Sequence, residues 1–470
     1  MSNPKPNHSV IILILGALMT ISPFAIDMYL PAFSQIATDI GTTSGKLSLT
    51  VSSYFVGFAI GQLLYGPLLD KFGRKKPLYY GLLVYIAACV GCMLSKSVEI
   101  MIAFRFIQAL GGCVAGVAAL TMVRDFFPVE ETARIISLLI LILGVSPLLA
   151  PTIGGFIAEE LGWQWIFIIL IIVVVIVMAL VFFFLPDGRK PDPTISLRAG
   201  PMVNTFMSIL KNPQFYTYAL SGALSFTSLL LYVGGSPVIF MDIFHVSPKT
   251  YGLIFAMLSV GFIGSNQLNI LLLRRFRSDQ LLKVALSLQL VTTIVFMIGA
   301  INGWYGLTAT IVLIFICLAC LGLTYPNASA LALAPFTDNV GSASALVGFL
   351  QIGVSGIASA GLGMFNPASS VPMATIMAFT SLLAFVILLS GKKAAVATAS
   401  GYTGGPLVCT MLDVRCTNVL YLNSLFLTPY ISLTSSHTPS PSTVSKNSAC
   451  RSVRSVSDDC RDRWCRFGKS

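Results

Sequence analysis

Two charged side chains interrupt otherwise apolar stretches of the sequence, and they are the residues best suited to chemistry. Asp27 lies in the run from Ser9 to about Phe33, and Arg105 lies in the run from Ile100 to Val123. An ionised side chain at the centre of a membrane helix costs about 2.5–3.5 kcal/mol, so Asp27 must face a cavity or a partner. An acid in such a place can take up and release a proton, and we predict that Asp27 is a proton carrier.

Arg105 is predicted to act together with Asp27. If the first helix runs outward and the fourth inward, a rise of about 1.5 Å per residue puts both charges in the outer half of the membrane. We expect them to face one cavity and to be electrostatically coupled, with Gln108 on the same helix face as Arg105. Two plainer interpretations stay open: Asp27 caps the outer end of its helix, and the Arg105 side chain extends to the outer surface.

The elements that must position these residues are membrane helices. Of the 470 residues, 56% are hydrophobic and 10% are charged, whereas a soluble domain has about 25% charged residues. A membrane helix needs about 20 apolar residues, and apolar runs of that length predict an all-α membrane protein with twelve transmembrane helices. The runs cover residues 9–33, 47–69, 77–95, 100–123, 135–158, 161–186, 212–241, 250–273, 284–337 and 339–391. The last two are long enough for two helices each, divided at Asn302–Gly306 and near Asn366, Pro367 and Pro372.

The distribution of Lys and Arg predicts the orientation. With the N-terminus inside, the cytoplasmic segments hold seventeen of these residues, and the outer loops hold only Lys46, Lys96 and Lys249. Basic residues concentrate in cytoplasmic loops, so we expect both termini to be cytoplasmic.

The polar segment after the sixth run divides the chain into two halves. We predict an N-terminal six-helix bundle at residues 1–186, a cytoplasmic linker at 187–212 and a C-terminal six-helix bundle at 213–392. Asp70-Lys71-Phe72 and Arg274-Arg275-Phe276 occupy corresponding places 204 positions apart, which favours two pseudo-symmetric bundles. Residues 393–470 are Ser/Thr-rich and predict a divergent, disordered or out-of-frame tail, with a regulatory tail as the alternative.

Two further groups of residues have a mechanical interpretation. In the loop after the second helix, Gly66 and Gly73 allow close approach and tight turns, and Asp70 can pair with Arg74, which can also reach Asp125. This loop also contains Lys75. The alternative is an ordinary charged inner loop.

The fifth helix contains a series of helix-modifying residues. Glycine allows close helix packing, and proline removes a backbone hydrogen bond and bends a helix. The spacing favours a shaped hinge over ordinary membrane-helix Gly and Pro. The series is Gly144, Pro147, Pro151, Gly154 and Gly155.

These motifs resemble those of the major facilitator superfamily. The segment from Gly66 to Lys76 is similar to its signature loop, and Arg105 to Gly112 is similar to its helix-four motif. The helix-five series resembles the motif of its antiporters. Asp27 to Pro31 and Gly162 to Phe167 make the chain most similar to the bicyclomycin-resistance (Bcr/CflA) branch of drug/proton antiporters. The second half departs from the pattern, because Arg274 stands where Asp70 stands in the first.

The resemblance implies a secondary transporter of a bacterial inner membrane that exports drug-like compounds by proton antiport through alternating access. It also implies that the Asp70 loop is a latch between conformations. A carrier of metabolites with the same fold and a non-transporting membrane sensor are the alternatives. Scattered His residues and the absence of a phosphate-binding loop argue against an enzyme or an ATP-driven pump.

The residues that contact the cargo are harder to predict. Gln108, Tyr232 and Gln351 are the cavity candidates, and a largely apolar cavity with one acid suits hydrophobic or cationic compounds. We expect the lipid bilayer, a small-molecule substrate and protons as partners, no nucleic acid, no cofactor, no metal and a monomeric protein.

Overall fold

The computed structural model describes residues 8–189, 191–192, 199–336, 340–364 and 369–400. The predicted tail lies outside the described residues from 401 onward. Within the described chain every regular element is helical. The α-helices are α1 His8–Asp27, α2 Phe33–Ile40, α3 Ser44–Phe72, α4 Lys75–Met93, α5 Val98–Phe126, α6 Val129–Glu160, α7 Gln164–Phe184, α8 Ala199–Leu210, α9 Pro213–Pro237, α10 Pro248–Leu272, α11 Ser278–Ile301, α12 Leu307–Leu333, α13 Val340–Ala360 and α14 Val371–Ser400.

Twelve helical segments among the described residues are long and apolar enough to cross a membrane. The predicted number of spans is therefore confirmed. α1 and α2 join through a 3₁₀ turn at Leu30–Ala32 into one span, and α9 continues through a π-helical turn at Val238–Ile243. The predicted division at Asn302–Gly306 separates α11 from α12.

Local sequence signals explain several helix ends. α3, α5, α9 and α10 each begin after a residue whose side-chain oxygen accepts a hydrogen bond from a backbone N–H of the first turn. Such caps satisfy donors that have no partner within the helix. These capping residues are Thr43, Ser97, Asn212 and Ser247.

The structure differs from the sequence prediction in three elements. The first span continues to Ile40, beyond the predicted end near Phe33, because Phe33, Ile36 and Ala37 bury one face of α2. The linker contains α8, whose Ile209 is buried against Phe215. α14 continues through the alanine-rich sequence to Ser400, past the predicted end of the bundle at 392, since alanine has the highest helix propensity.

Apolar side chains cover much of the outside of the bundle. Phe182 and Phe183 are 66% and 73% exposed, and Leu13, Val284 and Phe379 are also largely exposed. A water-soluble protein rarely shows so much apolar surface along its helices. A hydrocarbon environment around the helices accounts for it.

Contacts among the helices divide the described chain into two groups. In the first half, α5 packs against α1, α3 and α4, and α1 also packs against α6 and α7. In the second half, α9 packs against α12, α13 and α14, and α12 packs against α10 and α11. The halves meet through α3 with α13 and α6 with α10.

The α3–α13 contact is made by small residues of α13 against larger side chains of α3. A Cβ added at Gly356 would lie 3.1 Å from the Phe55 Cβ, and one added at Gly348 would lie 2.6 Å from the Gln62 side-chain oxygen. Glycines at these places therefore allow the two helices to approach closely.

The halves are also joined at the end of the bundle where α3 and α10 begin and α6 ends, which we name the closed end. There Ser34 donates a hydrogen bond to Asp242 (2.9 Å), and Ser48 donates one to the Gly234 carbonyl (2.8 Å). Lys249 of α10 forms ion pairs with Glu159 (3.0 Å) and Glu160 (2.9 Å) of α6. These polar contacts add to the close helix packing between the halves.

Candidate functional site

Arg105 lies wholly inside the first half of the protein. Its side chain is 0% exposed, so it does not extend to the outer surface. The guanidinium Nη1 donates to the Ala25 carbonyl (3.0 Å) and to the Gln108 side-chain oxygen (2.7 Å). The rings of Tyr29 and Tyr54 lie 4.4 Å and 4.7 Å from the guanidinium carbon. Cation–π contacts and hydrogen bonds thus offset the cost of burying this charge.

The rest of this cluster contains polar atoms without partners in the described residues. Nε and Nη2 of Arg105 are buried and donate no hydrogen bond among the described residues. Gln108 is held in place from its other side, because its amide nitrogen donates to the Cys89 sulfur (2.9 Å). Gln108 is therefore a supporting partner of Arg105 within the first half.

Asp27 lies at the last residue of α1, where the chain enters the 3₁₀ turn. Its side chain is 7% exposed. Within the described part of the chain the carboxylate has no ion pair and no hydrogen bond, and in particular none with Arg105. The link between the two is indirect, since Arg105 binds the carbonyl of Ala25, two residues earlier. Their predicted coupling remains a prediction.

Asp27 lies near the second half. Its charge acts on the phenol groups of Tyr232 on α9 and Tyr251 on α10, and it forms no hydrogen bond with either among the described residues. The turn that follows it, Leu30–Ala32, contacts α9 and α10 directly. The acid is thus placed at the junction between the two halves. Sequence reasoning located Asp27 on its helix but did not find these neighbours.

Tyr232 and Gln351, the other two cavity candidates, are both buried in this conformation. Tyr232 stacks on Phe255 with ring centroids 5.1 Å apart, and its hydroxyl has no partner among the described residues. The Gln351 amide nitrogen donates to the Ser329 hydroxyl (3.2 Å). Contact of either residue with a cargo remains a prediction.

Arg74 connects three parts of the first half at the end of the bundle opposite the closed end. Its Nε and Nη2 donate to the two oxygens of Asp125 (2.7 Å and 3.3 Å), and its Nη1 donates to Asp70 (2.5 Å). Burial lowers the pKa of Arg74, but the hydrogen bonds with Asp125 and Asp70 outweigh it and raise that pKa above its ordinary value. This fork-shaped pairing fixes α3, the start of α4 and the end of α5 together.

The same cluster holds the beginning of the linker. The backbone N–H of Arg189 donates to Asp125 (3.1 Å), and Lys75 pairs with Asp187 (3.0 Å). Gly73 and Gly188 have φ angles of +80° and +72°, which side-chain-bearing residues rarely adopt. These contacts place the loop against the linker, which the sequence did not predict.

Gly66 differs from Gly73. It lies inside α3, and a Cβ added there would meet open space. The structure therefore gives no local support for the expected close approach at Gly66.

The Gly and Pro series predicted on the fifth membrane helix lies on α6, and the beginning and the end of the series have different surroundings. A Cβ added at Gly155 would lie 2.6 Å from the Pro248 carbonyl oxygen of α10, and one at Gly154 would collide with the Met28 carbonyl. At Gly144 an added Cβ would meet nothing within 4 Å. Pro147 and Pro151 lie within α6, and the Pro151 carbonyl approaches Gly252 of α10. The end of the series near Glu160 therefore makes the contact between the halves.

The profile of the Major Facilitator Superfamily matches residues 15–360. The chain belongs to the major facilitator superfamily. It is 30% identical over 377 residues to "Uncharacterized MFS-type transporter YdgK" of Bacillus subtilis (strain 168), covering 79% of this chain and 92% of that protein. It is 29% identical over 400 residues to the "Bicyclomycin resistance protein homolog" of Haemophilus influenzae, with coverage of 83% and 98%.

Other members of the superfamily agree with this assignment. The chain is 28% identical over 391 residues to multidrug resistance protein MdtL of Escherichia coli, covering 81% of this chain and 95% of that protein. Among solved structures, a D-xylose-proton symporter superposes with a TM-score of 0.65 at 15% identity, covering 81% of this chain and 98% of the symporter. The nucleoside transporter NupG superposes with a TM-score of 0.64 at 11% identity, with coverage of 82% and 99%.

These relatives establish what kind of protein this is. The predicted fold class is confirmed, and this major facilitator protein is a multi-pass membrane transporter rather than an enzyme. The predicted resemblance to the bicyclomycin-resistance exporters is confirmed as well.

Proposed function

We propose that this transporter exports small hydrophobic or cationic drug-like compounds in exchange for protons. The observation that carries the proposal is the environment of Asp27, a buried acid at the junction between the halves with no hydrogen-bond or ion-pair partner in the described residues. A carboxyl group in that position is stable when protonated and costly when ionised, so its charge state favours different arrangements of its surroundings. The names of the bicyclomycin and multidrug resistance relatives support the cargo class.

The proposed mechanism is alternating access. The halves rock about a central cavity and expose it to one side of the membrane at a time. The distribution of Lys and Arg supports assigning the closed end to the outside, so the conformation described above is one that is closed to the outside. Entry of a proton at Asp27 from the outside and release of the cargo there belong to the opposite conformation.

The proposed setting follows from the same considerations. The protein is a monomer in the inner membrane of a bacterium, with both termini in the cytoplasm, and it requires no cofactor. The basic residues of the inner loops support this orientation.

The proposal is tested by substitution of Asp27. In cells that lack other exporters, we expect the wild-type protein to lower accumulation of ethidium or raise tolerance to bicyclomycin. Asp27→Asn removes the titratable proton at nearly constant size, and we expect it to reduce export to the background. Asp39→Asn is the matched control, because Asp39 is an exposed acid of the same span that accepts a hydrogen bond from Trp163.

Export by Asp27→Asn at the wild-type rate, with equal protein in the membrane, would refute the proton-carrying role. Wild-type cells that show no change in drug accumulation but altered transport of labelled sugars or amino acids would favour the metabolite carrier. Purified protein that binds a compound in vesicles without moving it would favour the sensor.

A further inference from the structure

The hydroxyl group of Tyr232 is an unused hydrogen-bond donor in a nearly inaccessible position. The Tyr232 side chain is 1% exposed, and its hydroxyl has no partner among the described residues. A buried hydroxyl without a partner costs about 1–3 kcal/mol, so a site that keeps one needs an explanation. A cargo molecule does not reach this hydroxyl in the conformation described here.

Stacking on Phe255 of α10 holds the ring of Tyr232 in place, with an interplanar angle of 26°. Its neighbour Tyr251 differs in one respect, because the Tyr251 hydroxyl is paired with the Ser236 hydroxyl (2.8 Å). Of the two phenols on which the charge of Asp27 acts, only the Tyr232 hydroxyl therefore lacks a hydrogen-bond partner among the described residues.

Other titratable or charged groups on the elements around this junction have partners of their own, and Arg105, whose coupling to Asp27 is predicted from the sequence, lies within the first half. Tyr29 is bonded to Thr50, and Arg105 uses Nη1 for Ala25 and Gln108 while its Nε and Nη2 have no partner in the described residues. At the closed end Glu159 and Glu160 pair with Lys249, and Asp242 accepts a hydrogen bond from Ser34.

From this arrangement we propose that Tyr232 is the positioning partner of Asp27 across the two halves. When Asp27 is ionised, the Tyr232 hydroxyl donates a hydrogen bond to its carboxylate, directly or through one water molecule. Protonation of Asp27 removes the charge that this donor stabilises, and the contact between the Leu30–Ala32 turn and α9 loosens. Charge on the acid is thereby linked to the fit of one half against the other. This inference rests on the proposed proton-carrying role of Asp27.

The test measures the protonation of Asp27 without any cargo. Infrared difference spectroscopy of the protein in lipid vesicles detects the carbonyl band of a protonated carboxyl group, and Asp27→Asn identifies the band by its loss. Titration of that band with pH gives its midpoint. Tyr232→Phe removes only the hydroxyl, while Tyr251→Phe removes a hydroxyl that is already paired and serves as the matched control.

We expect the midpoint in Tyr232→Phe to move to higher pH by about one unit, because a hydrogen bond to a charged group is lost, and the midpoint in Tyr251→Phe to stay at the wild-type value. Equal midpoints in Tyr232→Phe and wild type would overturn the inference and leave the proposed function intact. An Asp27 band that does not titrate in the wild-type protein would overturn both. Gel filtration and the α-helical circular dichroism of each variant confirm that it is folded.

Discussion

Gly155 is the residue at which the packing between the halves can be tested most directly. A Cβ there would lie 2.6 Å from the Pro248 carbonyl oxygen, so α6 and α10 must separate by several tenths of an ångström to accept it. Overpacking of this kind costs about 1–3 kcal/mol. This cost destabilises only the conformation in which the halves are in contact at the closed end. Gly155→Ala therefore shifts the equilibrium toward the conformation in which the halves are separated there, by about 5- to 150-fold.

The assay follows the opening of the closed end through a buried cysteine. Ser48 is a suitable position, since its hydroxyl binds the Gly234 carbonyl of the other half and its side chain is buried. In a protein with Ser48→Cys and with the five cysteines after residue 400 replaced by serine, we expect Gly155→Ala to raise the rate of reaction with a membrane-impermeant maleimide by about 5- to 150-fold.

Gly144→Ala is the matched control for this experiment. It makes the same change on the same helix in open surroundings, and both variants gain the same helix propensity of about 1 kcal/mol. We expect its labelling rate to remain within about twofold of the parent protein. Equal rates for the two variants would refute the argument that Gly155 sets the contact between the halves.

Two other substitutions separate strong interactions from weak ones. Arg74→Ala leaves Asp125 with one backbone donor, and we expect it to cost about 2 kcal/mol of stability and to lower the thermal midpoint of the purified protein. Lys76→Ala, in the first turn of α4, is the control and should leave that midpoint unchanged. Equal midpoints for both variants would contradict the role of the ion cluster. Lys249→Ala removes exposed ion pairs, so we expect it to raise the Ser48→Cys labelling rate by no more than about fivefold at low salt and by less at high salt. An increase as large as that for Gly155→Ala would contradict the conclusion that helix packing contributes more than these ion pairs to the contact between the halves.

The spans and their number were predictable because hydrocarbon imposes a simple rule on sequence. A helix that crosses a membrane must be apolar over its whole length, and the turn at Asn302–Gly306 is marked by residues that favour turns. The extension of the first span to Ile40 was missed because Asp27 and Pro31 look like a helix end, whereas a 3₁₀ turn carries the chain on.

The surroundings of the candidate site were less predictable. The pairing of Arg74 with Asp70 is local in sequence and follows from an i, i+4 spacing. Asp27 and Tyr232 interact electrostatically although they lie about two hundred positions apart in the sequence. No periodicity within either helix predicts this interaction. Arg105 was expected to share one cavity with Asp27, but the sequence did not indicate that the carbonyl of Ala25 and two aromatic rings would surround its guanidinium.

The glycine-lined contact between α3 and α13 affects the free-energy cost of separating the two halves. Gly348 and Gly356 present backbone where other residues would present interlocking side chains. When these surfaces part, the hydrogen bond from Ser52 to Ser359 (3.1 Å) is broken, and the rest of the penalty grows with the apolar area uncovered. Under the proposed function, lipid tails or an apolar cargo cover that area, and the transported compound then lowers the free-energy cost of separating the halves.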